Sequence, residues 1–227
     1  MLNIHRLACS RSTNLDARGA APGSVFVAER QTDGRGRLDH RWHASPGANL
    51  TFSVVLGAHP DPAQNATLPL VAGLAVAEAL GPGFAVKWPN DVYFGERKIC
   101  GILCERDGDN VIVGIGVNVN ETAFPPELAR QATSLKLLRG ATQDKDAVLR
   151  DVLRALEQLY AGWRRDGFAP LLERFAARDF LFGRPVSVVQ TDFDPSPVSG
   201  TARGIRDDGA LWVDDVPVYA GEVRWRP

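Results

Sequence analysis

The run Val111-Ile112-Val113-Gly114-Ile115-Gly116-Val117-Asn118-Val119-Asn120 constrains the fold more than any other stretch of this chain. Its β-branched residues suit a pleated, buried strand, and at a side-chain period of two Gly114 and Gly116 fall on one face. A strand face with two missing side chains lets something approach the backbone closely. That visitor is either a ligand or a helix packed on the sheet, and the run alone leaves both open.

A second feature follows the apolar run Val25 to Ala28, where Gln31-Thr32-Asp33-Gly34-Arg35-Gly36-Arg37 puts two guanidinium groups on a glycine-jointed backbone. Glycine tolerates angles that other residues resist, so successive N–H groups can turn inward as a nest while the arginines add planar, permanently charged donors. Such a loop suits closure over an anion, although a solvated Gly/Arg loop has the same composition. Further on, Lys87-Trp88-Pro89-Asn90-Asp91 precedes a hairpin pattern: Val92 to Phe94 and Ile99 to Leu103 are β-prone, and Gly95-Glu96-Arg97 connects them. Lys87 and Lys98 stand beside apolar residues, where an ammonium needs an anionic partner or a path for its head to water.

In this order, the motifs resemble those of the bacterial biotin protein ligases, which attach biotin to a carrier protein. The resemblance runs from Ser12-Thr13-Asn14 through Gln31, Gly34-Arg35-Gly36-Arg37, Trp42 and Gly47-Ala48-Asn49-Leu50. It continues in Lys87 to Asp91, in Lys98 to Leu103 with Glu105, and in Gly114-Ile115-Gly116-Val117-Asn118. One departure is Leu38-Asp39-His40, where many relatives carry more positive charge.

The resemblance implies an α+β fold, a mixed sheet flanked by helices as in the class II aminoacyl-tRNA synthetases, with a small C-terminal SH3-like β barrel. It implies a catalytic domain over residues 1–180 and the SH3-like domain over 183–227. The implied reaction has two halves: ATP activates biotin to biotinyl-5′-AMP, and the adenylate then acylates a lysine of a biotin carboxyl carrier protein. Arg37 and Lys98 are the implied catalytic residues. Biotin falls to Ser12, Thr13, Asn14, Gln31, Arg35, Gly36, Arg37, Lys98, Gly101, Gly114 and Gly116. ATP falls to Arg37, Trp42, Lys87, Asn90, Asp91 and Asn118, with Asp91 as the Mg²⁺ ligand.

The chemistry accounts for those residue types. A carboxylate must meet the α-phosphorus of ATP against mutual repulsion, and fixed cations relieve it. The hydroxyls of Ser12 and Thr13 and the amide of Gln31 can read a polar ureido ring, though Ser12 and Thr13 are equally good helix N-caps. Asp91 is also a common turn residue, and Trp42 a core residue. Magnesium prefers one or two carboxylates plus phosphate oxygens. A mixed anhydride is lost to water, so the glycine-jointed loop is expected to act as its lid.

Composition narrows the alternatives. A formal net charge of -1 and a pI near 6.4 argue against a general nucleic-acid binder. Only eleven residues precede Ser12, too few for a three-helix DNA-reading unit, so a ligase without a repressor function is expected. No apolar run is long enough to span a bilayer and Met1 to Arg11 lacks a signal-peptide core, which points to the cytoplasm and no membrane partner. Cys9, Cys100 and Cys104 make no disulfide framework; Cys100 and Cys104, without a histidine pair, read as small buried hydrophobes. A lipoate ligase is the nearest alternative activity, and a non-catalytic RNA-binding module the more distant one. A weak homodimer is left open.

The remaining pattern is scaffold. Helical spacing predicts helices over Leu68 to Leu80, ended by Gly81, over Lys145 to Arg165, and over Pro170 to Arg178. Beyond Gly183 the pattern changes to Val186 to Val189, Thr201 to Ile205, Ala210 to Val213 and Val218 to Trp225, with Asp207-Asp208-Gly209 as a turn and Asp192 to Ser199 as a loop.

Overall fold

In the computed structural model, residues 2–38, 40–189 and 196–225 are described. Asp39, within the charge departure noted above, and residues 192–195 of the expected loop lie outside them. The first part of the chain runs β1 (Asn3–Leu7), α1 (Thr13–Asp16), β2 (Ser24–Ala28), β3 (Leu50–Gly57), α2 (Leu68–Leu80), β4 (Phe84–Lys87), β5 (Asp91–Phe94), β6 (Arg97–Asp107) and β7 (Asn110–Val117). The second runs α3 (Leu135–Arg139), α4 (Lys145–Asp166), α5 (Leu172–Ala176), β8 (Pro185–Val189), β9 (Val198–Ile205), β10 (Leu211–Val213), β11 (Val216–Val218) and β12 (Glu222–Trp225). Two compact units result, one of Met1–Ala58 with Phe94–Arg154, the other of His59–Tyr93 with Ala155–Pro227.

The first unit holds strands in the order β1-β2-β3-β7-β6. β1 and β2 are parallel and the other pairs antiparallel, so the sheet is mixed as expected. One face is a continuous apolar layer of Phe52, Val54, Val113, Ile115, Val117 and Ile102, all buried. The other face changes character along its length: Val55 and Ile112 bury Ala17 just past α1, whereas the rows beyond them carry Thr51, Ser53 and glycines. Strand β7 begins at Asn110 and stops at Val117, because Asn118 turns its carbonyl to Leu135 N at 3.0 Å.

In the second unit α2 spans the expected residues, with Pro69 in its first turn and Gly81 ending it at φ 106°, a backbone angle only glycine takes without strain. It is buried on nearly every side and packs on β4. The part of the α4 stripe in this unit is buried at Leu156, Leu159 and Trp163, and the Trp163 indole N–H donates to Thr67 Oγ1 at 2.7 Å. The helix expected over Pro170 to Arg178 is shorter: a 3₁₀ turn at Ala169–Leu171 leads into α5. Arg178 leaves the helix because its guanidinium is spent elsewhere, on the carbonyls of Ala77 (3.2 Å), Gly81 (2.9 Å) and Phe84 (3.0 Å) around the end of α2. Ala77 O, which also accepts from Gly81 N at 3.3 Å, and Gly81 O lie at the C-terminal end of α2, where a cation stabilises the helix end.

The C-terminal strands form an antiparallel sheet in the order β11-β10-β9-β8-β12. The expected run Val218 to Trp225 is two strands, since the chain breaks at Gly221 with φ 145°. The turn at Asp207-Asp208-Gly209 forms as read, with Gly209 at φ 85° and Asp208 Oδ1 accepting from Ala210 N at 3.0 Å. Among the described residues β11 and β12 end this sheet, which establishes a small β module rather than a closed barrel. No helix among them is long and apolar enough to cross a membrane.

Candidate active site

Register explains the glycines. Across β3, β7 and β6 the partners Thr51, Gly116 and Gly101 form one row, and Ser53, Gly114 and Leu103 the next. Partners directly opposite point to the same face, so Gly101, Gly114 and Gly116 make a floor with almost no side chains. In this structure the protein's own residues lie on it. A methyl group on Gly116 would sit 2.7 Å from both Cζ2 and Nε1 of Trp42; on Gly101, 3.0 Å from Trp42 Cζ3 and 3.3 Å from Lys98 Nζ. One on Gly114 would meet the Asn14 amide, with Cγ at 3.0 Å. The room expected over Gly114 and Gly116 is therefore occupied by Asn14 and the Trp42 indole. The indole Nε1 is buried and has no hydrogen-bond partner among the described residues.

Around the floor runs a polar chain. Ser53 Oγ donates to Thr13 Oγ1 at 2.7 Å or to Asn14 Oδ1 at 2.6 Å, having one proton for two acceptors. Asn14 Nδ2 donates to Glu105 Oε2 at 2.7 Å and to Leu103 O at 3.3 Å. Gln31 Oε1 accepts from Thr13 N at 2.8 Å and Thr13 Oγ1 at 3.2 Å. Of the residues expected to read a ligand, Thr13, Asn14 and Gln31 thus lie in one network, which also takes in Ser53 and the Glu105 carboxylate, neither of them among the residues expected there. The signal for Ser53 was a hydroxyl in the otherwise apolar strand β3. Ser12 holds the N-cap position of α1, yet its side chain makes no capping bond, so its hydroxyl is not spent there.

The arginine loop is a small hairpin here, not an open nest. Gly36 N donates to His40 O at 2.7 Å and Trp42 N to Gly34 O at 2.9 Å, while Arg35 and Arg41 form a bridge. Neither Gly34 nor Gly36 takes a positive φ. They are needed for room instead, since a Cβ on Gly34 would lie 2.9 Å from Trp42 O and one on Gly36 3.1 Å from His40 O. Arg35 ion-pairs with Glu105 at 3.4 Å, a carboxylate that also takes Arg18 at 3.5 Å. Arg37 is half-buried in the loop.

Lys98 is the second residue of β6, held by Lys98 N to Gln131 O at 2.7 Å and Thr133 N to Lys98 O at 2.9 Å. Its ammonium lies 5.9 Å from the Trp42 ring centroid, a cation–π distance, which sets a positive charge at the edge of the glycine floor. Asn118 is buried just past β7, its backbone N bonded to Ile99 O at 2.9 Å. Neither thiol of β6 competes as a nucleophile: Cys100 is buried, and burial, then the Glu105 charge, push the Cys104 thiol up to about 12.

Lys87, Asn90 and Asp91 belong to the second unit. Lys87 ends β4, is buried, and lies with its ammonium 5.9 Å from the Tyr93 ring centroid. Between them Trp88 is fully enclosed and its indole N–H donates to Gly209 O at 2.9 Å. Asp91 opens β5 half-buried, and its charge, after burial, holds the Tyr93 hydroxyl well above its ordinary range. No group of three or more His, Cys, Asp or Glu suited to a metal occurs among the described residues. A single carboxylate of this kind fits a magnesium ion held largely by phosphate oxygens and water, and does not fit an all-protein cage.

Fold and site together define a mixed α+β protein whose central strands present a glycine floor with the Lys98 ammonium at its edge. Residues 8–120 match the biotin/lipoate A/B protein ligase family. The chain is 37% identical to the biotin--[acetyl-CoA-carboxylase] ligase of Mycobacterium tuberculosis over 230 residues, 93% of this chain and 85% of that protein. It is 32% identical over 210 residues to the bifunctional ligase/repressor BirA of Bacillus subtilis, covering 86% of this chain but only 62% of that protein's length. The biotin protein ligase from Aquifex aeolicus in complex with biotin and ATP superposes with a TM-score of 0.87 at 31% identity, covering 100% of this chain and 99% of that one. The chain belongs to the biotin protein ligases of this family.

Proposed function

We propose that this chain activates biotin with ATP and transfers it to a lysine of a biotin carboxyl carrier protein. The observation that carries the reading is the Lys98 ammonium at the edge of the Gly101–Gly116 floor, beside the Trp42 indole. Biotin's bicyclic ring lies on that floor once Trp42 and Asn14 yield it, with Ser12, Thr13, Asn14 and Gln31 reading the ureido group. Its carboxylate points to Lys98, Arg35 and Arg37. ATP is taken by Arg37, Trp42, Lys87, Asn90, Asp91 and Asn118. Asp91 would hold magnesium, which when bound screens the phosphate charge.

In the first half a carboxylate oxygen bonds to the α-phosphorus and pyrophosphate leaves. Lys98 and Arg37 act by offering fixed positive charge where negative charge gathers, with no proton to move. In the second half the neutral lysine amine of the carrier attacks the acyl carbon, AMP leaves with the bonding pair, and the amine sheds its proton. The residues from Gly34 to Trp42 serve as the lid that keeps water from the adenylate between the halves. Residues 1–180 form the catalytic part, and 183–227 an SH3-like module that serves ATP handling or carrier docking.

The test is incubation with labelled ATP and biotin, with lipoate as the control acid. Pyrophosphate released only with biotin, followed by label on a carrier domain, supports the reading. Release with lipoate alone, or none with either acid, overturns it.

A further inference from the structure

Glu121 is a buried carboxylate that the reaction above does not use, 4% exposed and with no ion pair among the described residues. Instead it takes three bonds from neutral donors: Ser45 N to Oε2 at 3.0 Å, Asn49 Nδ2 to Oε2 at 2.9 Å, and Ser45 Oγ to Oε1 at 2.9 Å. Its own carbonyl accepts from Ser134 Oγ at 2.6 Å, and Ser134 Oγ in turn accepts from Leu137 N at 3.1 Å, at the first turn of α3. Asn49 completes the set by accepting from Val119 N at 3.0 Å. A carboxylate taken from water without a cation is costly unless its lone pairs are met by donors. The arrangement therefore holds only while residues 45–49 stay where they are.

Those residues are the C-terminal stem of the arginine loop. Trp42, which lies on Gly116, is three residues before Ser45. The two stems are clasped at their base by Gly47 N to Glu29 O at 2.9 Å, and Asn120 N to Ala48 O at 2.9 Å ties the same stem to the segment carrying Glu121. Nearer the tip, Arg35 pairs with Glu105 and Arg41 with Asp33, and both guanidinium groups remain exposed.

We propose that Glu121 is a positioning residue, the fixed post against which the arginine loop moves, so that Trp42 and the arginines return to one place over the floor. Its effect on catalysis rests on the ligase reading; its effect on the loop does not. The loop offers its own probe, because Arg35, Arg37 and Arg41 are trypsin sites. In the ligand-free protein Glu121→Ala should be nicked between Arg35 and Arg41 roughly tenfold faster than wild type, the scale expected for losing bonds to a charged group. Arg150 and Arg154 on α4 should stay protected as in wild type. Glu121→Gln should restore wild-type nicking, since its amide oxygen can replace Oε2 and its NH₂ can donate to Ser45 Oγ.

Should Glu121→Ala not fold, Ser45→Ala deletes the Oε1 contact alone, and a nicking rate about threefold above wild type, confined to the loop, carries the same conclusion. Equal nicking of wild type and Glu121→Ala overturns the proposal. So does acceleration that spreads to α4, or, with Glu121→Ala unfolded, equal nicking of wild type and Ser45→Ala. In an active preparation the loosened loop should release biotinyl-AMP faster while the glutamine variant retains it. Wild-type protein that makes no adenylate would end the ligase reading without touching the proteolysis result.

Discussion

A single methyl group on Gly116 tests whether the glycine floor is there for ligand and lid together. In Gly116→Ala the new carbon would lie 2.7 Å from Trp42 Cζ2 and Nε1, inside any allowed contact. Strand β7 cannot give way easily, because it is paired along its length to β3 on one side and β6 on the other. The indole gives instead, lifting from the floor with the loop that carries it. Overpacking of this kind costs about 1–3 kcal/mol, and the place where it is paid decides the reading. If the indole only swings into solvent, stability falls at the low end, about 1 kcal/mol or roughly 2–4 °C in melting temperature. The larger loss belongs to the step in which the ligand takes the floor, because the added methyl stands on that surface after the indole has left it. At about 1–3 kcal/mol, kcat/KM for biotin-dependent ATP–pyrophosphate exchange should fall roughly 5- to 150-fold. Calorimetric melting and exchange kinetics on the same preparation separate the two effects. A variant that melts several degrees lower yet exchanges at the wild-type kcat/KM would show that Trp42 on Gly116 is mere packing, and the reasoning fails.

Lys98→Ala should cut adenylate formation roughly ten- to a hundredfold, the size of a lost charge-assisted contact of about 1.5–3 kcal/mol, and a rapid-quench burst at the wild-type rate would remove Lys98 from the chemistry. Asp179 gives a pH test: burial outweighs the backbone N–H bonds from Leu181 and Phe182 and raises its carboxyl to about 6. The protonated form is the one the fold favours, so the stability it contributes is complete below about pH 4 and is lost as pH rises through about 6, a change of about 3 kcal/mol. Asp179→Asn keeps an oxygen for Leu181 N and should melt higher than wild type at pH 8, with a flatter profile from pH 4 to 7; parallel profiles would count against it. Finally, iodoacetamide at pH 7.5 should label the exposed Cys9 in native protein and spare the buried Cys100 and the Cys104 thiol raised to about 12, all three reacting once unfolded; mass spectrometry of peptides decides.

What the chain determined by itself was whatever depends on near neighbours. The periodicity of Leu68 to Leu80 predicts α2 residue for residue, and the period of two places Gly114 and Gly116 on one face. Both follow from repeats that a short segment carries alone. The positive charge of Arg35, Arg37 and Lys98 is chemistry that side chains bring wherever they fold. What tertiary structure decided was which groups meet. That Asn14 and Trp42 cover the glycine floor, that Ser53 links Thr13 with Asn14, and that Gly34 and Gly36 provide space and not unusual angles, all depend on strand register and on loops closing over distances no local pattern records. Glu121 shows the limit most clearly: in the sequence it is one acid after a strand, and only the arrival of Ser45 and Asn49 turns it into a buried acceptor. The reason is that burial without a cation is tolerable only where donors converge, and convergence is a property of the folded chain.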